Sequence, residues 1–163
     1  MVKTETDSIW KILKEVVDPE IPVLTIQDLG ILQDVKIEGN KIIVTIVPTY
    51  TGCPAMDMIT VNIKSALQPH GYDDVEVKLV LEPTWTTDWI SEEGRIKMKN
   101  YGITPPQEKS TDIRSLLGKD TIVPCPRCDS KSTKLISHFG STACKAFYQC
   151  NDCKEPFDYF KCH

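Results

Sequence analysis

Cys125-Pro126-Arg127-Cys128 and Cys150-Asn151-Asp152-Cys153 are two C-x-x-C turns separated by twenty-one residues. Each such turn aims two sulfurs at one point, and two turns complete a tetrahedral shell with metal–sulfur bonds of ~2.3 Å for zinc. The separation is one residue beyond the usual range for a paired-knuckle zinc site, which a hairpin arm absorbs. Four thiolates leave no open coordination position, so the expected site is structural and the expected ion is zinc; an S4 tetrahedron also suits iron. A tail of about forty residues buries too little core to fold alone. Metal binding, ~10–16 kcal/mol for structural zinc, supplies what the core lacks. Redox dithiols are the competing reading, and two correctly spaced pairs in one short tail disfavour it. Cys144 and Cys162 are left over. Either they substitute for a knuckle cysteine or bind a second metal with His138 or His163, or they are simple buried or loop thiols, the reading favoured here.

Cys53 is the one cysteine outside that tail, in Thr49-Tyr50-Thr51-Gly52-Cys53-Pro54-Ala55-Met56. Pro54 suits the first helical position and puts Cys53 at the N-cap, where exposed N–H groups and the helix dipole lower a thiol pKa. Gly52 permits close approach of a ligand to the backbone. A thiolate so placed can attack, be oxidised or bind soft metals, although from spacing alone a packing cysteine is equally compatible. Asp18-Pro19-Glu20-Ile21-Pro22 sets two carboxylates around a rigid proline. They read as hard ligands or an acid/base pair, or more simply as a solvated turn. Trp85 and Trp89, with Asp88 between them, either line a docking groove or cap the core; the core is the default.

The elements that must position these groups are legible from periodicity. Ile9, Ile12, Leu13 and Val16 make a short amphipathic helix that Asp18-Pro19 ends. Residues 19–30 form a structured loop. Val35 and Ile37 begin a strand, Gly39-Asn40 turns it, and residues 42–47 return as a second strand. A helix opens at Pro54 with Ala55, Ile59, Ile63, Ala66 and Leu67 on one face. Val75, Val77, Leu79 and Leu81 alternate as a half-buried strand. Ser91 caps a helix with Glu92 and Glu93 in its first turn, and Gly102 closes it. The order α-β-β-α-β-α predicts an α+β class fold, a small sandwich domain over residues 1–102 with a three-stranded or slightly larger sheet. Residues 103–122 read as a linker with one helical turn around Ile113, Leu116 and Leu117. Residues 123–163 form a zinc-ribbon-like β module with strands at 134–139 and 146–149.

Composition narrows the function. The chain has 163 residues, 26% charged and 40% hydrophobic, which is the profile of a globular protein with one ordinary core and a small appendage. No apolar run is long enough to span a bilayer, and no apolar signal follows Met1, so the expected location is the cytoplasm. Thiols there stay reduced, which turns six cysteines after residue 124 toward metal binding rather than disulfides. Residues 1–102 carry ten Lys/Arg against sixteen Asp/Glu, net −6, and residues 103–163 carry nine against seven, net +2. An acidic larger domain argues against phosphate-backbone binding. Neither a helical Glu-x-x-His pair nor a Gly-rich dinucleotide loop is present, and with three histidines in the chain an enzyme in its own right is not expected.

Asp18-Pro-Glu-Ile-Pro22, Asp28-Leu-Gly30 and Thr49-Tyr-Thr-Gly-Cys-Pro-Ala-Met56, in that order, resemble the SufT-like metal–sulfur cluster biosynthetic family over residues 8–100. Adding Phe139-Gly-Ser-Thr-Ala-Cys-Lys-Ala146, Cys150-x-x-Cys153 and Glu155-Pro-Phe157, the whole chain resembles the accessory family that accompanies the phenylacetyl-CoA epoxidase of bacterial phenylacetate degradation. The resemblance implies maturation rather than turnover: assembly or insertion of an iron–sulfur cluster or iron. Its implied clients are the epoxidase reductase or the di-iron oxygenase. On the matching motifs, Cys53 becomes the transient cluster or iron ligand, while Asp18 and Glu20 orient its loop or bind metal beside it. One cysteine per first domain also makes a cluster shared by a homodimer an expectation. The competing functions are an adaptor that bridges epoxidase components through the zinc module and, least favoured, a zinc-ribbon nucleic-acid binder.

Overall fold

The computed structural model describes residues 2–50, 52–107, 122–142 and 144–160. The chain divides into two compact units, Met1–Trp85 and Thr86–His163. Both are mixed α and β, as the element order predicts.

In the first unit, helix α1 (Val2–Leu13) packs on α2 (Ala55–Leu67) and on strand β1 (Leu32–Glu38). Strand β2 (Lys41–Ile46) is central, antiparallel to β1 and parallel to β3 (Val75–Leu79). Parallel pairing of β2 and β3 needs a crossover, and α2 supplies it. The β1–β2 hairpin closes with Glu38 opposite Lys41. Gly39, at φ +64°, takes the first central position of the turn, where a left-handed residue matches the twist of the strands. Ile9, Leu13, Ile59, Ile63 and Leu67 from the helices meet Val35, Ile42, Val44 and Ile46 from the sheet, all buried. Ile43 is buried as well, the departure from strict alternation expected of a central strand.

The loop between α1 and β1 is built as tightly as an element. Asp18 Oδ1 accepts the N–H groups of Glu20 and Ile21, each at 2.8 Å. Thr25 and Asp28 exchange bonds: the Thr25 N–H donates to Asp28 Oδ2 at 3.1 Å and the Asp28 N–H to Thr25 Oγ1 at 3.0 Å. Ile21, Leu24, Ile26, Leu29 and Ile31 anchor it in the core. Trp85 is 2% exposed and its indole N–H donates to the Leu29 carbonyl at 2.7 Å, so Trp85 is a core residue.

The second unit holds helix α3 (Glu92–Tyr101) and a sheet in the order β4-β7-β6-β5: β4 (Ile103–Thr104), β5 (Thr133–Ser137), β6 (Lys145–Cys150) and β7 (Pro156–Phe160). Ser91 Oγ accepts the Gly94 N–H at 3.0 Å, and Gly102 closes α3 at φ +98°, both as the sequence predicts. The expected first domain ran to residue 102, whereas the compact unit ends at Trp85. The reason is local. Gly102 turns α3 directly into β4, which pairs with β7, while Thr104 Oγ1 donates to the Pro124 carbonyl at 2.8 Å and Lys99 Nζ pairs with Asp129 at 2.7 Å. Residues 103 and 104, read as the start of a linker, are therefore a strand. Residues 105–107 and 122 carry no regular element; the helical turn around Ile113, Leu116 and Leu117 lies on residues 108–121, outside the described residues. Trp89 ends a 3-10 turn (Thr87–Trp89), half-buried, with Asp88 exposed.

Candidate metal centre and cysteine loop

Cys125 and Cys150 are buried, Cys128 and Cys153 exposed, and all four sulfurs lie within 4.8 Å of one another. Cys125 Sγ is 3.7 Å from Cys153 Sγ, and Cys128 Sγ is 3.6 Å from Cys150 Sγ. A disulfide would bring two sulfurs to about 2.05 Å. A tetrahedron with ~2.3 Å bonds has sulfur–sulfur edges of about 3.8 Å. The spacing fits four ligands around one ion, and the residues present fit zinc. Among the described residues it is the only such cluster of His, Cys, Asp or Glu side chains.

The two knuckles repeat one another. The Cys125 N–H donates to the Ser130 carbonyl at 2.9 Å, and the Cys150 N–H donates to the Glu155 carbonyl at 3.0 Å. Asp129 (φ +59°) and Lys154 (φ +66°) follow the second cysteine of each turn in the left-handed region, which is uncommon for non-glycine residues. That twist brings the N–H of Ser130 to Cys128 Sγ and the N–H of Glu155 to Cys153 Sγ. Across the knuckles, Ser130 Oγ donates to the Asp152 carboxylate, and the Asn151 N–H donates to the Ser132 carbonyl at 2.9 Å. Cys125 and Cys150 also sit in a small core with Val123, Ala146, Phe157 and Tyr159. Tyr148 stacks on Phe157 at 5.9 Å and meets Tyr159 edge-on at 5.8 Å.

Four thiols this close compete for ionisation. The Cys153 and Asp152 N–H groups outweigh burial and hold Cys150 down at about 7. At Cys128 the Ser130 N–H pulls down, yet burial and the neighbouring thiols together push the group up to about 12. Cys125, Cys128, Cys150 and Cys153 would hold a divalent cation as four thiolates, and its charge would relieve that competition.

Cys53 occupies the loop between β2 and α2. Pro54 (φ −70°, ψ −18°) is the cap of α2, which begins at Ala55, so Cys53 lies one residue before the cap and not at it, where the sequence predicts it. Its pKa also moves the other way from the sequence expectation. Burial of the half-buried thiol raises it and the Glu20 carboxylate adds to the rise, against the Ala55 N–H and the hydroxyls of Tyr50 and Thr49. The pull of one N–H at a helix end is smaller than the cost of leaving water beside an anion. Gly52 takes φ +79°, and a side chain there would meet nothing within 4 Å. The left-handed backbone conformation by itself favours glycine at this position.

The Glu20 carboxylate, on the loop that Asp18 orders, is near enough to Cys53 for its charge to raise the thiol pKa. Asp18 is 6% exposed, and one of its oxygens is committed to the two backbone N–H groups. Cys53, Asp18 and Glu20 do not form a three-ligand cluster among the described residues. In the ribbon, Cys144 is buried with Thr142 Oγ1 3.0 Å from its sulfur, and His138 is exposed. Cys162 and His163, the other residues considered for a second metal, lie outside the described residues. Sequence reasoning missed Asp129, Ser130, Asp152 and Lys154, the residues that shape the knuckles; an Asp after a knuckle cysteine was the available signal, since Asp tolerates φ > 0.

Residues 6–79 match the family described as "Iron-sulfur cluster assembly protein", and residues 109–161 match the "PaaD zinc beta ribbon domain". A protein of Escherichia coli (strain K12) named as one of the subunits of 1,2-phenylacetyl-CoA epoxidase is 46% identical over 97% of this chain and 93% of its own length. An "Fe-S protein maturation auxiliary factor" of Porphyromonas gingivalis (strain ATCC BAA-308 / W83) is 34% identical over 60% of this chain and 92% of its own. A crystal structure of a domain of unknown function, DUF59, from Bacillus anthracis superposes with a TM-score of 0.55 at 26% identity, covering 59% of this chain and 92% of that one. No helix among the described residues is long and apolar enough to cross a membrane. Both halves and their order agree with the full-length relative, and the chain belongs to the PaaD family, an iron–sulfur cluster assembly domain joined to a zinc β-ribbon.

Proposed function

We propose that this protein is an accessory maturation factor for a phenylacetyl-CoA epoxidase, delivering iron or an iron–sulfur cluster to its reductase or its di-iron oxygenase. The observation that carries the reading is Cys53, half-buried in a loop of the assembly domain and within electrostatic reach of the Glu20 carboxylate. A thiolate and a carboxylate together suit iron. One thiol from each chain cannot hold a cluster by itself, so the remaining ligands come from the recipient or from a second copy of this chain. Incomplete coordination is what transfer requires: cargo bound by a full ligand set would not leave. Asp18 holds the loop, Glu20 adds negative charge near the thiol, and Cys53 is the ligand.

The ribbon's four cysteines hold zinc as a structural ion. When bound, the zinc neutralises the crowded thiolates and fastens the two knuckles together. Leu135, Ile136 and Phe139 are exposed around β5, Phe139 at 67%, and this supports the adaptor role as a second reading, with the ribbon docking on epoxidase components. The protein itself turns over no substrate in either reading, and its partners are proteins rather than nucleic acid or membrane.

A strain lacking this protein tests the first reading. Its epoxidase components, purified anaerobically, are expected to be present at normal amounts with the reductase or the oxygenase short of iron. Components with full iron and full activity would contradict maturation.

A further inference from the structure

Beside the Cys53 loop the first unit carries an open chamber of about 310 Å³, lined by Pro48, Thr49, Tyr50, Leu81, Glu82, Thr84 and Trp85, of which Leu81, Glu82 and Thr84 are exposed. Its volume lies at the lower end of the range that takes small ligands or a few peptide side chains. Two segments make its walls: the start of the β2–α2 loop, and the run that follows β3. Thr49 and Tyr50 belong to both the chamber and the thiol site, because their hydroxyls also donate to Cys53 Sγ. Whatever occupies the chamber is therefore one side chain away from the sulfur.

The lining has a definite chemical character. Pro48, Tyr50, Leu81 and Trp85 give an apolar and aromatic surface, and Thr49 and Thr84 add hydroxyls. Glu82 is the single charged side chain of the lining; it is exposed and has no ion-pair partner among the described residues. The unit around it is acidic, with seven Lys/Arg against thirteen Asp/Glu in residues 1–85. An aliphatic stem ending in a cation matches this set, and that is the chemistry of lysine and arginine. Iron–sulfur clusters are held by cysteine thiolates, so where the cargo is a cluster the recipient segment that reaches Cys53 presents a cysteine.

We infer that the chamber seats a recipient segment in which a lysine or arginine flanks an acceptor cysteine, its cation on Glu82 and its stem against Tyr50 and Leu81. The contact holds the acceptor sulfur next to Cys53 before any metal moves. This rests on the maturation reading, but the binding step is separable from it, since it needs neither iron nor the Cys53 sulfur.

The test uses the full, iron-free chain, isotope-labelled for backbone NMR, and short reduced peptides in which Arg-Cys is compared with Glu-Cys. The Arg-Cys peptide is expected to shift signals of residues 48–50 and 81–85, in wild type and Cys53→Ser alike. The Glu-Cys peptide is expected to leave those signals in place. Glu82→Gln should weaken Arg-Cys binding by roughly five- to tenfold, and raised salt should do the same. Leu81→Ser is a second variant, at an exposed position, and should weaken it without altering the fold. Equal binding of both peptides, shifts confined to another surface, or no loss in Glu82→Gln would overturn the inference. Peptide binding in a protein that holds no iron at Cys53 would support the chamber while removing the maturation reading.

Discussion

Replacing Cys150 by serine should unmake the ribbon and leave the first unit standing. A structural four-thiolate site contributes an apparent ~10–16 kcal/mol, or ~2.5–4 kcal/mol per thiolate if shared evenly. Losing one sulfur should therefore weaken the metal by roughly two to three orders of magnitude. Little else resists that loss. Cys150 is fully buried in a core whose other members are Val123, Cys125, Ala146, Phe157 and Tyr159, and a serine there would bury a hydroxyl in place of a ligand. Three measurements read the outcome: zinc retained after a chelator challenge, limited proteolysis mapped by mass spectrometry, and near-ultraviolet circular dichroism. The last follows Tyr148 against Phe157 and Tyr159. Wild type should hold one zinc per chain, and Cys150→Ser should lose it, with new cleavage across residues 122–160 and loss of the aromatic signal. Cys125→Ser should behave alike, because Cys125 holds the matching position in the other knuckle. Full zinc, unchanged protease resistance and an intact aromatic spectrum in both variants would refute the reasoning.

Two further outcomes concern the first unit. Because burial and Glu20 raise the Cys53 pKa, the thiol is protonated at neutral pH. Alkylation there should be slower than for a free cysteine of pKa ~8.5 and should climb as pH rises toward the folded value. Iron must displace that proton, so retention at Cys53 should strengthen with pH; fast alkylation at pH 7 would refute this environment. Asp18→Ala orphans the N–H groups of Glu20 and Ile21 and should cost ~2–4 kcal/mol in urea unfolding. Asp18→Asn keeps an acceptor and should recover most of that loss together with iron binding. Recovery of stability without iron would instead make the Asp18 carboxylate a metal ligand.

Much of this molecule is legible in its sequence wherever one residue's chemistry dictates the local answer. Ser91 and Gly102 mark the ends of α3 because each satisfies helix-end groups that nothing else would. The paired C-x-x-C turns announce the metal cluster because four sulfurs in that spacing have no simpler purpose. Legibility fails where the answer depends on packing. Ile103 and Thr104 carry no pattern long enough to read as a strand; they become one only because β7 lies alongside, which moves the unit boundary back to Trp85. β7 itself, Pro156–Phe160, hides behind a proline and an aspartate and is recognisable only through its pairing with β6. At Cys53 the helix-end argument gives one sign and burial the other, and only the folded surroundings of Thr49, Tyr50 and Glu20 decide which is larger.

The most direct test of the central claim is anaerobic reconstitution with ferrous iron and sulfide, applied in parallel to wild type and Cys53→Ser. Iron content, sulfide content and visible absorbance are read against zinc measured in the same samples. Serine preserves the volume at position 53 but offers iron no thiolate, so the two proteins should carry equal zinc. Wild type should gain iron with sulfur-to-iron charge-transfer absorbance, and Cys53→Ser should gain neither. Equal iron and equal absorbance in both proteins would contradict the account.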